Sequence, residues 1–415
     1  MLSAGEVIED GAVVILEGRV MEAGRWADLA RPWGRKGQVE DLGEVLLFPG
    51  FINSHCHLDY TGFAGKLAPP ESFTGWIKSI VRLKSETSFQ AYGEAWRRGA
   101  EMLLRAGVTT VVDMESVPAL TPEVWHGTPI RVLSCLEVLG YGESEEASGM
   151  VRAAVEEWKG RFAAVGGALN VFPGLAPHAL YSTSSDVMLE AAGAARFNAW
   201  PLSLHVAESR EEFEMFAEQR GPLHAWLGER RRIAREVPAS PVRRADQLGA
   251  LSPATWVAHA NYLGPSDDEL LALRGVTVVH CPRSHAYFRH DPFPLERLRN
   301  AGVRVVVGTD SLASVRIRAG ECVNLNLLEE LRVMRGGGPV GDPAELLRMV
   351  WERPAEVLGF MGRLGSLHRG SNADSAVIPF RGKPAEAAES LVHHRGDVFG
   401  TMVGGRWHWR EEGAG

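Results

Sequence analysis

Between residues 45 and 311, eight short apolar runs alternate with longer stretches of helical character, and most runs close on a polar residue or a histidine. Apolar runs that are continuous mark strands buried on both faces. Eight of them joined by helical crossovers predict a parallel barrel. At both chain ends, short apolar runs are punctuated by turn residues, which predicts small β pieces there. The predicted class is α/β: a distorted TIM (β/α)8 barrel over residues 49–363, flanked by a small β-sandwich built from residues 1–48 and 364–415.

Taken in order, Ala12–Leu16 reads as a strand, Glu17-Gly18 as a turn and Arg19–Glu22 as a second strand. The predicted barrel strands are Val45–His57, Val108–Met114, Ile130–Val138, Val171–His178, Leu202–Glu208, Thr255–Asn261, Val276–Ser284 and Val303–Ser311. Helical spacing appears between them at Gly93–Arg105, Ser148–Ala164, Asp186–Ala195, Ser266–Arg274 and Pro294–Asn300. Residues 58–92 form a long connection holding Phe63, Phe73, Trp76 and Ile77. At the face where a barrel carries its chemistry, such a loop suits a substrate lid. Residues 220–246 hold the arginines Arg230, Arg231, Arg232, Arg235, Arg243 and Arg244, read as a solvated surface. The tail repeats the β pattern: Ser375–Phe380, Val398–Val403, the Gly404-Gly405 turn, and Arg406–Trp409. Chain termini often lie close together, so both ends are expected in one sandwich.

Composition narrows the function. The 415 residues carry a formal net charge of -8, which offers no polyanion-binding surface and argues against nucleic acid. Cys56, Cys135, Cys281 and Cys322 are far apart and form no CxxC pair, which fits a reducing cytoplasm. No apolar run reaches the length of a membrane span, and no signal peptide is visible at the N-terminus. A cytoplasmic protein is expected.

Chemistry concentrates at the strand ends. His55 and His57 are two residues apart on a strand, so their side chains share one side, and imidazole suits zinc or iron. Cys56 should point away by the same period. Other strand ends carry His178, His205, Glu208, His259, His285 and Asp310. His126, His224, His290, His368, His393, His394 and His408 end no predicted barrel strand and are left out of the site.

Six motifs then fall in order: Pro49-Gly-Phe-Ile-Asn-Ser-His55-Cys-His57, Ala176-Pro-His178-Ala-Leu-Tyr181, Leu204-His205-Val-Ala-Glu208, Val257-Ala-His259-Ala, Cys281-Pro-Arg-Ser284-His285 and Gly308-Thr-Asp310-Ser311. With the tail segment Leu364-Gly365-Ser366 to Asp374, this set resembles the amidohydrolase superfamily. The resemblance is to its branch of deaminases and chlorohydrolases of the cytosine, guanine, adenosine and triazine types.

The resemblance implies that His55, His57, His205 and Asp310 hold one divalent ion, zinc or alternatively iron. It implies that Glu208 moves a proton from the attacking water to a ring nitrogen, that His259 orients the attacking oxygen, and that Asp310 accepts a proton. Binuclear relatives bridge two ions through a modified lysine at the end of the fourth strand. Here Gly174 to His178 contains no lysine, so one ion is expected and His178 would face substrate.

Most relatives carry Asn where this chain has His285. Trp76, Phe73, His178, Tyr181, His285 and Ser314 are the expected pocket residues. Residues 310–314 and 324–331 are similar to the aminodeoxyfutalosine and adenosine-like deaminases. The implied reaction is release of ammonia from a small-molecule substrate, an amino-substituted N-heterocycle of the adenosine, aminodeoxyfutalosine, guanine, cytosine or pterin type, through a metal-activated water. Triazine dechlorination, amide or ureide hydrolysis, and a non-catalytic metalloprotein are the alternatives. A homodimer is implied by the resemblance alone.

Overall fold

A computed structural model describes residues 1–3, 6–140, 144–167, 170–228, 237–318, 320–337 and 341–411. Arg230, Arg231, Arg232 and Arg235 lie outside the described residues. Arg243 and Arg244 sit on the short helix Pro241–Gln247, where Arg243 donates to the Pro265 carbonyl and Arg244 to Ser185.

The chain begins with two small antiparallel hairpins, Leu2–Ser3 (β1) with Glu6–Val7 (β2), and Gly11–Leu16 (β3) with Arg19–Arg25 (β4). Glu17 and Gly18, at the turn between β3 and β4, both have positive φ (52° and 75°). This is the two-residue turn whose twist matches paired strands. Val45–Pro49 (β5) joins Ser375–Pro379 (β14), Gly400–Val403 (β15) and Arg406–Arg410 (β16) in a four-stranded antiparallel sheet, order β16-β15-β14-β5. Both chain ends therefore build the small β unit.

The barrel strands are Phe51–Cys56 (β6), Val108–Glu115 (β7), Arg131–Val138 (β8), Val171–Pro177 (β9), Leu202–Val206 (β10), Thr255–His259 (β11), Thr277–His280 (β12) and Arg304–Val307 (β13). All are parallel and lie in sequence order. The run expected as one strand, Val45–His57, is two. Its first half pairs with β14, and the chain crosses into the barrel at Pro49-Gly50. The crossing needs glycine, because a Cβ at Gly50 would sit 2.3 Å from the Thr109 side chain.

The lumen is filled by Val112, Met114, Leu133, Cys135, Ala176, Trp256, Val279, Cys281 and Val306. Cys56 lies instead in the apolar layer between strands and helices, with Leu58 and Trp96.

Two irregularities shape the mouth. The first and last strands meet where the His55 carbonyl accepts from the backbone N–H groups of both Thr309 and Asp310, each at 3.0 Å. Gly308 permits that approach, since a Cβ there would lie 2.8 Å from the His55 backbone. Between β9 and β10 the only register pair is Leu202 with Leu175, followed by an isolated bridge from Ala179 to His205. The sheet opens at Pro177, which has no N–H to give.

Residues 58–92 are mostly helical rather than an open loop. They comprise a 3-10 turn Leu58–Phe63, the helix Phe73–Glu86 and the start of Phe89–Arg105. Ser72 and Ser88 cap the two helices by accepting from Gly75 and Ala91. Phe73, Ile77 and Ile80 repeat at helical spacing on the buried side.

The small β unit is tied to the barrel by a buried ion pair, Arg131 at the start of β8 with Asp374 before β14. The side chains are 9% and 4% exposed. Asp374 also accepts from the Gly404 N–H at 2.7 Å. Removing one partner strands a buried charge. Arg131→Met is expected to lower stability in urea unfolding by about 3 kcal/mol, and the double change Arg131→Met with Asp374→Leu to recover part of that loss.

Candidate metal centre and active site

His55 and His57 end β6, and His205 lies near the end of β10. Their ring centroids are separated by 5.0 Å (His55–His57), 4.9 Å (His55–His205) and 5.5 Å (His57–His205). One ligand atom from each lies within 4.8 Å of the others, the only such set of three among the described residues. Asp310 Oδ1 lies 3.8 Å from His55 Nε2 and 3.6 Å from His57 Nε2.

The surroundings suit these rings to metal ligation. Burial pushes the pKa of His55 and His57 well below the usual imidazole value, so both are neutral with a lone pair to give. Neither ring nitrogen of His55 has a hydrogen-bond partner among the described residues, although the residue is fully buried. Just past the opening at Pro177, the His178 carbonyl accepts from the His205 N–H and from His205 Nδ1, both at 2.8 Å. That fixes the tautomer and leaves Nε2 for a metal. Three buried imidazoles and one carboxylate converging on one point fit a divalent cation.

Asp310 is held from behind. Its φ is 54°, a left-handed conformation unusual for a non-glycine residue. The Ser314 hydroxyl donates to its Oδ2 at 3.0 Å, and Ser314 is fully buried. The expected pocket residue Ser314 thus stands behind the carboxylate. Asn53 and Thr309 brace the same seam: Asn53 Nδ2 donates to Thr309 Oγ1 at 2.8 Å, and Thr309 N–H to Asn53 Oδ1 at 3.1 Å.

Glu208 is 6% exposed, and its Oε1 lies 3.6 Å from His259 Nε2. Burial, followed by the nearby carboxylates of Asp310 and Glu212, raises its pKa well above the ordinary value. It therefore keeps a proton at a pH where a free glutamate has lost it. Glu212, which sequence reasoning missed, sets the loop that carries it, accepting from the Ala207 and Glu208 N–H groups at 3.0 and 2.8 Å. Asn261 donates to the Glu208 carbonyl at 2.8 Å. Positive φ at Ala207, His259 and Ala260 marks the same strained strand ends.

The expected pocket residues fall in two places. Phe73 and Trp76 stack on one another at 6.2 Å, and Tyr181 meets Phe73 edge-on at 6.1 Å. Phe288, not singled out from sequence, packs against Phe73 at 5.4 Å and Trp76 at 5.0 Å. The start of their helix is clamped by Glu211, which accepts from the Phe73 and Thr74 N–H groups at 2.9 Å. His178 Nδ1 contacts Ser182 Oγ at 2.6 Å. His285 stands apart with His280 and His290, at centroid distances of 5.3 and 5.5 Å, and its Nε2 donates to the Asp291 carbonyl.

Buried imidazoles gathered with a carboxylate at the C-terminal mouth of a parallel barrel define a barrel hydrolase with a metal-competent centre. The chain belongs to the amidohydrolase family, whose profile matches residues 46–408. It is a hydrolase acting on carbon–nitrogen bonds other than peptide bonds. It is 30% identical over 393 residues to a 5-methylthioadenosine/S-adenosylhomocysteine deaminase of Nitratidesulfovibrio vulgaris, covering 91% of this chain and 81% of that protein. Its fold is that of Helicobacter pylori aminofutalosine deaminase, solved with methylthio-coformycin (TM-score 0.83, 22% identity, 97% of this chain and 96% of that one). The fold is also shared with an adenosine deaminase of Xanthomonas campestris solved with bound zinc (TM-score 0.78, 22% identity, 98% and 90%). No helix among the described residues is long and apolar enough to cross a membrane.

If Ser314 orients Asp310, Ser314→Ala should weaken zinc binding about tenfold or more in chelator competition, with the fold intact by circular dichroism. Unchanged affinity would remove Ser314 from the centre.

Proposed function

We propose that this chain is a hydrolytic deaminase releasing ammonia from an amino-substituted N-heterocycle of the adenosine type. One divalent ion, zinc, would be held by His55, His57, His205 and Asp310. The observation that carries the reading is Glu208: a buried carboxyl beside His259, with its pKa raised and no role in the three-histidine set. An ordinary surface glutamate is ionised at neutral pH and has no proton to give.

When bound, the ion supplies Lewis acidity that brings an activated water within reach of neutral pH. The residues do the rest. Glu208 would carry a proton to the ring nitrogen next to the carbon under attack, and the amino group would leave as ammonia. His259 Nε2, buried and without a hydrogen-bond partner among the described residues, would orient the incoming oxygen. Asp310, braced by Ser314, would take up the proton that the attacking water gives away and pass it to the departing amino group, while Glu208 would recover the proton of the new hydroxyl as the carbonyl forms. The aromatic wall of Phe73, Trp76, Tyr181 and Phe288 would close over a flat ring and exclude water.

The 30% identity to a 5-methylthioadenosine/S-adenosylhomocysteine deaminase supports the adenosine type over cytosine, guanine or pterin. The same barrel, residues 49–363 in our division, would carry all of the chemistry. Four free cysteines, three of them buried, suit a cytoplasmic location.

Glu208→Gln should lower ammonia release by at least about a hundredfold while zinc content by metal analysis stays unchanged. Full activity in that variant removes Glu208 from the reaction. A wild-type, zinc-loaded chain that releases no ammonia from any adenosine-type compound sinks the reading, and chloride release from a chlorotriazine would replace it.

A further inference from the structure

Glu137 ends β8, one residue before Val138, whose carbonyl accepts from the His178 N–H at 3.3 Å. On that strand Leu133 and Cys135 face the lumen, so the two-residue period places Glu137 on the same side, at its open end. Its backbone pairs with Ala176, another lumen residue, two positions before His178. The side chain is 2% exposed, yet neither carboxylate oxygen has a hydrogen bond among the described residues. A buried carboxylate left in this way is costly, which points to a donor that arrives with a ligand.

The one cation paired with it among the described residues is Lys84, on the helix Phe73–Glu86, with Nζ 3.7 Å from Glu137 Oε1. That separation is an ion pair but too long for a hydrogen bond. Lys84 also donates to the Tyr60 hydroxyl, and the Tyr60 ring lies parallel to His57 at 5.1 Å. The Tyr60 ring stacked on His57, and the bond from the His178 N–H to Val138 next to Glu137, put the pair at the edge of the metal-competent centre.

Asp59 accepts from Ser116, and Asp113 from the Leu58 N–H and Trp96 Nε1. Glu115 is buried and, like Glu137, without a hydrogen bond among the described residues, but it alternates with the lumen residues Val112 and Met114 and so faces the helices, away from the mouth.

We propose that Lys84 and Glu137 recognise a vicinal diol on the non-reacting part of the substrate. An anionic group would be repelled by Glu137, and a cationic one by Lys84. A hydroxyl accepts from Lys84 Nζ and donates to Glu137, and a second adjacent hydroxyl satisfies the other carboxylate oxygen. This rests on reading the pocket as one for an N-heterocycle. It adds that the heterocycle carries a hydroxylated, sugar-like substituent held between the helix Phe73–Glu86 and β8.

The test is equilibrium binding by calorimetry of adenosine and 2′,3′-dideoxyadenosine to the full, zinc-loaded Glu208→Gln chain. Adenosine should bind about tenfold tighter or more, and adding either Glu137→Gln or Lys84→Met should shrink that preference to about twofold. Lys84 is partly exposed on a helix, so Lys84→Met gives the readout if the Glu137 variant does not fold. A preference that survives both changes, the absence of any preference, or no binding of adenosine overturns the proposal. Ammonia release by the chain with Glu208 intact is measured separately. A diol preference without ammonia would leave this subsite standing and sink the deaminase reading.

Discussion

The structure depends on one contact, the seam where the last barrel strand closes onto the first. A single carbonyl, that of His55, accepts from Thr309 and Asp310 and so sets a carboxylate opposite two imidazoles. The contact is close enough that only glycine fits at position 308. Asn53 and Thr309 lock it side chain to side chain, with both residues fully buried. Without that closure His55 and Asp310 would lie at opposite edges of an open sheet.

A second constraint is the opening between β9 and β10. Pairing resumes at the Ala179–His205 bridge, where the His178 carbonyl accepts both the backbone N–H and the ring Nδ1 of His205 and so orients that ring. The site is also buried. Burial keeps His55 and His57 neutral and Glu208 protonated, and these are the states that ligation and proton delivery require. The same burial makes Glu137, ion-paired with Lys84 but without a hydrogen bond among the described residues, conspicuous.

Much of this was legible in the chain. Continuous apolar runs marked the barrel strands, and the two-residue spacing of His55 and His57 gave their shared direction. What stayed hidden depends on tertiary context. The break at Pro49-Gly50 lay inside an unbroken apolar run, and only the presence of β14 as a partner pulls Val45–Pro49 out of the barrel. The helix Phe73–Glu86 was concealed by the length of its connection, although Ser72 ahead of Phe73, Ile77 and Ile80 was a readable cap. Ser314 was near enough to Asp310 to suggest the pocket, but its direction depends on a 3-10 turn. Glu212, Phe288 and Glu137 carry no motif. Their roles come from what folding places beside them.

The central claim is a single-ion centre that drives deamination. Metal-free chain titrated with zinc, while ammonia release from an adenosine-type substrate is followed, tests it most directly. Activity that rises linearly and levels off at one equivalent of zinc is the predicted result. A plateau at two equivalents, or no ammonia at any zinc level, would contradict it.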